Sequence, residues 1–109
     1  MAFDEALTAR VRELLGPRRN LTEREMFGGF AFMVNGNMAV GVTGDELMVR
    51  VGKEAHEEAV TRPGAKTSVM GTKPMIGWIK VDEQGIQSDE GLAEWVAWGV
   101  SHAESLPPK

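Results

Sequence analysis

Apolar residues recur along this chain at two different periods, and the switches between them mark its elements. Phe3, Leu7, Val11 and Leu14 fall at helical spacing behind Asp4, a capping residue, which predicts a first helix over 4–15, stopped by Gly16-Pro17. After an exposed link at Arg18-Arg19-Asn20, charged residues alternate with others through Leu21–Met26, which reads as an edge strand. Gly28-Gly29 precedes a strand rather than a helix and predicts a sharp bend or bulge. The stretches 30–34 and 38–43 are rich in aromatic and branched residues, and Asn35-Gly36 between them suits the positive backbone angles of a type I′ turn. Gly44-Asp45 turns the chain again into 46–51, giving an antiparallel meander. A short helix over 53–61, a strand over 75–81 and a final helix from Ser88 or Asp89 to Ser105 complete the pattern, the last with Leu92, Trp95, Val96, Gly99, Ala103 and Leu106 on one side.

Strands grouped together and bracketed by helices predict an α+β fold. The expected architecture is a two-layer sandwich, an antiparallel sheet of about five strands with the N-terminal, middle and C-terminal helices mainly on one face. No repeat or linker divides the 109 residues, so a single domain over 1–109 is expected.

A two-residue turn at Asn35-Gly36 pairs Val34 with Asn37, Met33 with Met38, Phe32 with Ala39 and Ala31 with Val40, and residues directly opposite share a face. Carried through Gly44-Asp45, this register places Ala31, Met33, Met38, Val40, Val42, Leu47, Val49 and Val51 on the face under the helices. The reverse face then holds Phe30, Phe32 and Met48 beside Asn37, Thr43, Glu46 and Arg50, joined by Trp78 and Lys80. Aromatic residues on an uncovered face predict a homodimer or partner interface, unless 63–73 folds over them. Trp98, on the flank of the last helix, is the further candidate contact; Trp95 is assigned to the core.

Composition narrows the chemistry. The apolar fraction of 42% and the charged fraction of 26% are those of an ordinary globular domain, and the absence of cysteine removes disulfides, thiolate zinc sites and a cysteine nucleophile. No apolar run approaches the roughly 20 residues a membrane helix needs, and Met1-Ala2-Phe3-Asp4-Glu5 lacks the basic start of a signal peptide. A formal charge of −4 argues against strong nonspecific duplex binding, which runs on phosphate neutralisation. Arg18, Arg19 and Arg24, with Arg50, Lys73 and Lys80, still leave a basic patch beside aromatics that could stack on single-stranded bases.

Catalytic motifs are not found. Gly64-Ala65-Lys66-Thr67 lacks the glycine before lysine of a phosphate loop, and Ser101 and His102 are neighbours on a helix and point in different directions. His56 and His102 read as surface histidines without metal-ligand spacing, and the carboxylates are scattered. No catalytic, cofactor or metal residue is assigned, and no cofactor is expected.

Met26-Phe27-Gly28-Gly29, Phe32-Met33, Asn35-Gly36-Asn37-Met38, Asp45-Glu46-Leu47-Met48-Val49-Arg50, Lys73-Pro74-Met75, Gly77-Trp78 and the closing Trp95 helix together resemble the N-terminal domain of the TfoX/Sxy family of bacterial competence regulators. The resemblance covers nearly the whole chain. It implies a small α+β fold and cytoplasmic regulatory work linked, in full-length members, to transcription of DNA-uptake genes with the cyclic-AMP receptor protein. Those members add a C-terminal helical domain; here a standalone N-terminal domain is expected. The resulting expectation is a non-catalytic protein-interaction domain, with a weak single-strand binder as the alternative and a small-ligand or enzymatic domain third.

Overall fold

The computed structural model describes residues 3–17, 19–26, 28–70 and 72–108. Arg18 of the expected basic patch, Phe27 of the diglycine motif, Met1-Ala2 and Lys109 lie outside them. The described residues form four helices and six strands: α1 (Glu5–Leu15), β1 (Leu21–Met26), β2 (Gly29–Val34), β3 (Asn37–Thr43), β4 (Glu46–Arg50), α2 (His56–Ala59), β5 (Ala65–Met70), β6 (Lys73–Val81), α3 (Glu83–Ile86) and α4 (Asp89–Ser105). The strands make one antiparallel sheet in the order β1-β2-β3-β4-β6-β5. The α+β expectation therefore stands, with six strands rather than about five. The added one is β5, which occupies the segment expected as a cover; its mainly small and polar residues give no apolar alternation to announce it.

The local signals act as their chemistry dictates. The Asp4 carboxylate accepts from the Leu7 N–H at 3.1 Å, and Ser88 Oγ accepts from the Gly91 N–H at 3.0 Å, capping α1 and α4. Asn35 and Gly36 both take positive φ, 55° and 81°, as a type I′ turn requires. Gly28, at φ 74°, lies in the turn that Met26 and Gly29 close. Helix α1 buries Leu7, Thr8, Val11 and Leu15, whereas Leu14, assigned to its stripe, is 41% exposed.

The register of the central hairpin departs from expectation at one residue. Val34 pairs with Asn37 and Met33 with Met38 as predicted, but Phe32 then pairs with Val40 and Phe30 with Val42. Ala39 is the extra residue of a β-bulge. Because side chains alternate strictly along a strand, one inserted residue exchanges the faces on one side of it. Every strand residue from Val40 onward lies on its predicted face, and all of β2, with Asn37 and Met38, lies on the opposite one.

The correction bears on two candidate contact residues. Phe32 is fully buried beneath the helices, and Phe30 packs beside it, ring centroids 5.2 Å apart, with Phe3 and the Arg12 guanidinium over it. Asn37, also assigned to the reverse face, is buried and donates from Nδ2 to the Pro107 carbonyl at 3.0 Å. The core is thus built from Phe32, Val34, Val40, Val42, Leu47, Val49, Ile79 and Val81 of the sheet against Leu7, Val11, Leu92, Trp95, Val96 and Val100 of the helices. Helix α4 crosses β3 at the bulge, where Gly99 brings the helix onto the Ala39 carbonyl; a Cβ there would stand 2.4 Å from that oxygen.

His56 is likewise not a surface residue. It is buried, its Nδ1 accepts from the Gly77 N–H at 2.8 Å, and its Nε2 lies 2.9 Å from Thr67 Oγ1. An acceptor at Nδ1 assigns the ring proton to Nε2, so the imidazole donates to Thr67. The ring ties α2 to the irregular stretch where Thr67 pairs with Ile79 but Val69 pairs with Pro74.

Candidate functional site

With the helices on one side, the other face of the sheet carries no element of the described chain. Strand parity assigns to it Thr22 and Arg24 from β1, Ala31 and Met33 from β2, Met38, Gly41 and Thr43 from β3, Glu46, Met48 and Arg50 from β4, Trp78 and Lys80 from β6, and Lys66 and Ser68 from β5. The floor is largely thioether. Met33, Met38, Met48 and Met75 line a groove of about 500 Å³ with Trp78 and Val69, and Val69 is 52% exposed. Gly41 gives the Met38 side chain room to lie across the strand, since a Cβ at Gly41 would stand 2.5 Å from Met38 Cε.

Charge surrounds this floor. Arg50 and Trp78 are cross-strand partners, and the guanidinium lies 5.2 Å from the indole centroid, a cation–π pair. Arg24, Arg50, Lys66 and Lys80 share the face with one carboxylate, Glu46, whose Oε2 is 3.4 Å from Lys66 Nζ. In a chain of formal charge −4, the face is the cationic side. Ser68 Oγ is buried at the groove and has no hydrogen-bond partner among the described residues.

Arg50 and Trp78 also wall a second depression of about 560 Å³, which adds Lys53, His102, Ile76 and Ser105. His102 is half-buried there, and burial, reinforced by the nearby Arg50 charge, holds its pKa below the ordinary imidazole value. Gly52, with φ 88°, leaves room for the imidazole; a Cβ would stand 2.5 Å from His102 Cε1.

The predicted contact residues are therefore divided. Met48, Arg50 and Trp78 converge on the open face, Phe30 and Phe32 belong to the helix side, and Trp98 is remote from both depressions, stacked on Trp95 at 5.4 Å with the Arg62 guanidinium 5.2 Å from its ring. Gly28, Gly29, Asn35 and Gly36 shape the two turns that flank β2. Sequence reasoning missed Met33 and Met38, which it placed in the core. The available signal was parity: Phe30, Phe32 and Val34 are the bulkier set on β2, and putting them with Val40 and Val42 demands the bulge.

No three metal-ligating side chains come together among the described residues, and no described helix is long and apolar enough to cross a membrane. A family model described as the TfoX N-terminal domain matches residues 13–103, a span that contains all six strands. No curated protein matches the chain.

Proposed function

This chain belongs to the TfoX N-terminal domain family, and on that premise we propose that it is a non-catalytic regulatory domain that works by protein contact through the open face of its sheet. One observation carries the reading: four methionines and a tryptophan line a groove on a face left bare by the helices. Large apolar surfaces on folded domains mark contact sites, and thioethers suit surfaces that must accommodate another chain. Among the described residues the groove's lining holds no histidine or carboxylate to act as a general base towards Ser68, which supports a binding rather than a catalytic role. We extend the proposal to cytoplasmic transcriptional regulation, on the likeness to the TfoX/Sxy regulators.

A photo-crosslinking residue placed at Met48 or Trp78, and at Leu14 on the helix side as the comparison, tests the proposal in the native cell. Protein adducts are expected from the two sheet positions and not from Leu14. Equal labelling from both sides, or labelling from Leu14 alone, overturns it. The alternative reading rests on the Arg50–Trp78 stack with Lys66 and Lys80 nearby, a setting for single-stranded nucleic acid. It predicts nuclease-sensitive adducts at Trp78.

A further inference from the structure

We infer that the open face is a docking groove for an acidic amphipathic segment of a partner protein, its apolar side chains on the methionine floor and its carboxylates against Arg24, Arg50 and Lys80. The inference rests on the contact reading above and names the partner's chemistry. Charge complementarity supplies the first argument. Glu46 is already engaged by Lys66, so the other three cations of the face have no carboxylate within ion-pair distance among the described residues. The remaining acidic residues are carried mainly by the helices and their connections, away from the groove. A partner bearing carboxylates is steered to this face and repelled by the other.

The floor supplies the second argument. Methionine side chains are unbranched and polarisable, and they repack around leucine, isoleucine or phenylalanine without a fixed shape. Grooves of this kind accept one apolar face of a helix or strand. Arg50 and Trp78 border both depressions, so a segment on the methionine floor continues toward the second, whose lining carries both Lys53 and Glu54.

Other occupants fit less well. A second copy packed face to face would set Arg24, Arg50, Lys66 and Lys80 against the same cations, a like-charge arrangement that opposes association. Single-stranded nucleic acid stacks its bases on successive aromatic rings, whereas the groove offers Trp78, over which Arg50 already lies; Phe30 borders the groove, but its ring packs against Phe3 and Arg12 on the helix side.

The experiment uses the full chain and labelled synthetic probes in fluorescence anisotropy: an amphipathic peptide with leucine at helical spacing and glutamate elsewhere, a scrambled peptide of the same composition, a version with lysine for glutamate, and an oligothymidine strand. The acidic amphipathic peptide is expected to bind most tightly, with scrambling or lysine weakening binding roughly ten-fold or more and added salt weakening it further. Met48→Glu and Arg50→Glu are each expected to lower its affinity at least about ten-fold with an unchanged far-ultraviolet spectrum, and Arg24→Glu, on the exposed edge strand, provides a second charge reversal should either variant be destabilised. Binding that survives Met48→Glu and both charge reversals, equal affinity for the scrambled or lysine peptide, or tighter binding of oligothymidine overturns the inference. Absence of peptide binding at low salt overturns it too. If Met48 crosslinks persist in that case, the contact reading stands with another occupant; if they are also lost, both fail.

Discussion

At the scale of single residues, Gly99 and His102 show how side-chain size and charge are set by tertiary neighbours. Gly99 sits mid-helix, where glycine carries a propensity cost, and it is there because α4 rests on the carbonyl of the bulged Ala39. The neighbouring atom is backbone and cannot swing away. Gly99→Ala is therefore expected to destabilise the fold by about 1–3 kcal/mol despite alanine's better helix propensity, measured by urea denaturation. A gain in stability would show that α4 can lift from β3 at little cost. His102 gives a pH dependence. Burial first, and then Arg50, depress its pKa in the folded state below the ordinary 6.5, so the unfolded chain takes up the proton first as pH falls. The contribution of this group is complete above 6.5 and is lost as pH falls toward the folded value. Denaturation about one pH unit above and below 6.5 should show lower stability on the acid side, and His102→Gln should flatten the difference.

At the scale of elements, the central hairpin separates what a turn can dictate from what packing imposes. Asn35-Gly36 determines the first pairs, Val34 with Asn37 and Met33 with Met38, because its backbone angles suit a two-residue connection. Beyond them, regular pairing would leave Phe30 and Phe32 on the bare face and put Met33 and Met38 under the helices. The bulge at Ala39 instead joins Phe30 and Phe32 to Val40 and Val42. Deleting Ala39 removes the extra residue and lets Phe32 meet Val40 and Phe30 meet Val42 in unbroken pairing, so the aromatic and valine faces stay together and only the carbonyl under Gly99 is lost. The expected result is a domain that still unfolds cooperatively on heating, as an Ala39→Ser variant of the same length should. A deletion variant that loses its sharp transition would show that the bulge does more than reconcile the two faces. Strand β5 illustrates the opposite limit. Its pairing with β6 is irregular between Thr67 and Val69, and buried His56 bonds across that irregularity to Thr67 and Gly77. A lone histidine on a short acidic stretch gave no sign of this, because both partners are distant in sequence.

At the scale of the whole molecule, the two faces of the sheet differ in kind. One is sealed by branched and aromatic residues under helices, and the other is floored by methionine and edged by cations. Substitution should report that difference directly. Phe32→Glu places a carboxylate in the core and should cost about 4 kcal/mol or more, a large part of the stability of a domain this size. Met48→Glu on the open face should change stability by no more than about 1 kcal/mol. Thermal or chemical melts of the two variants side by side check the assignment of faces, and similar losses in both would contradict it. The open face is the one exposed for the contact proposed above, whereas Phe30 and Phe32, first singled out for that role, pack on the helix side.

Apart from β5 and the short α3, the order of elements, with the capped ends of α1 and α4, the turns at Gly28 and Asn35-Gly36, and the α+β class, was determined by sequence, since each depends on periods and torsions that neighbouring residues impose on one another. Met48, Arg50 and Trp78 were likewise legible as face-mates, because regular pairing runs unbroken from Val40 through β4 to β6. Tertiary structure alone decided the bulge at Ala39, and with it which side of β2 is buried. A strand of Phe30, Ala31, Phe32, Met33 and Val34 is apolar on both sides, so hydrophobicity cannot choose between them. The choice is made where α4 and α1 arrive: the helices cover the stiff aromatic and branched side, leaving the flexible methionines to the surface.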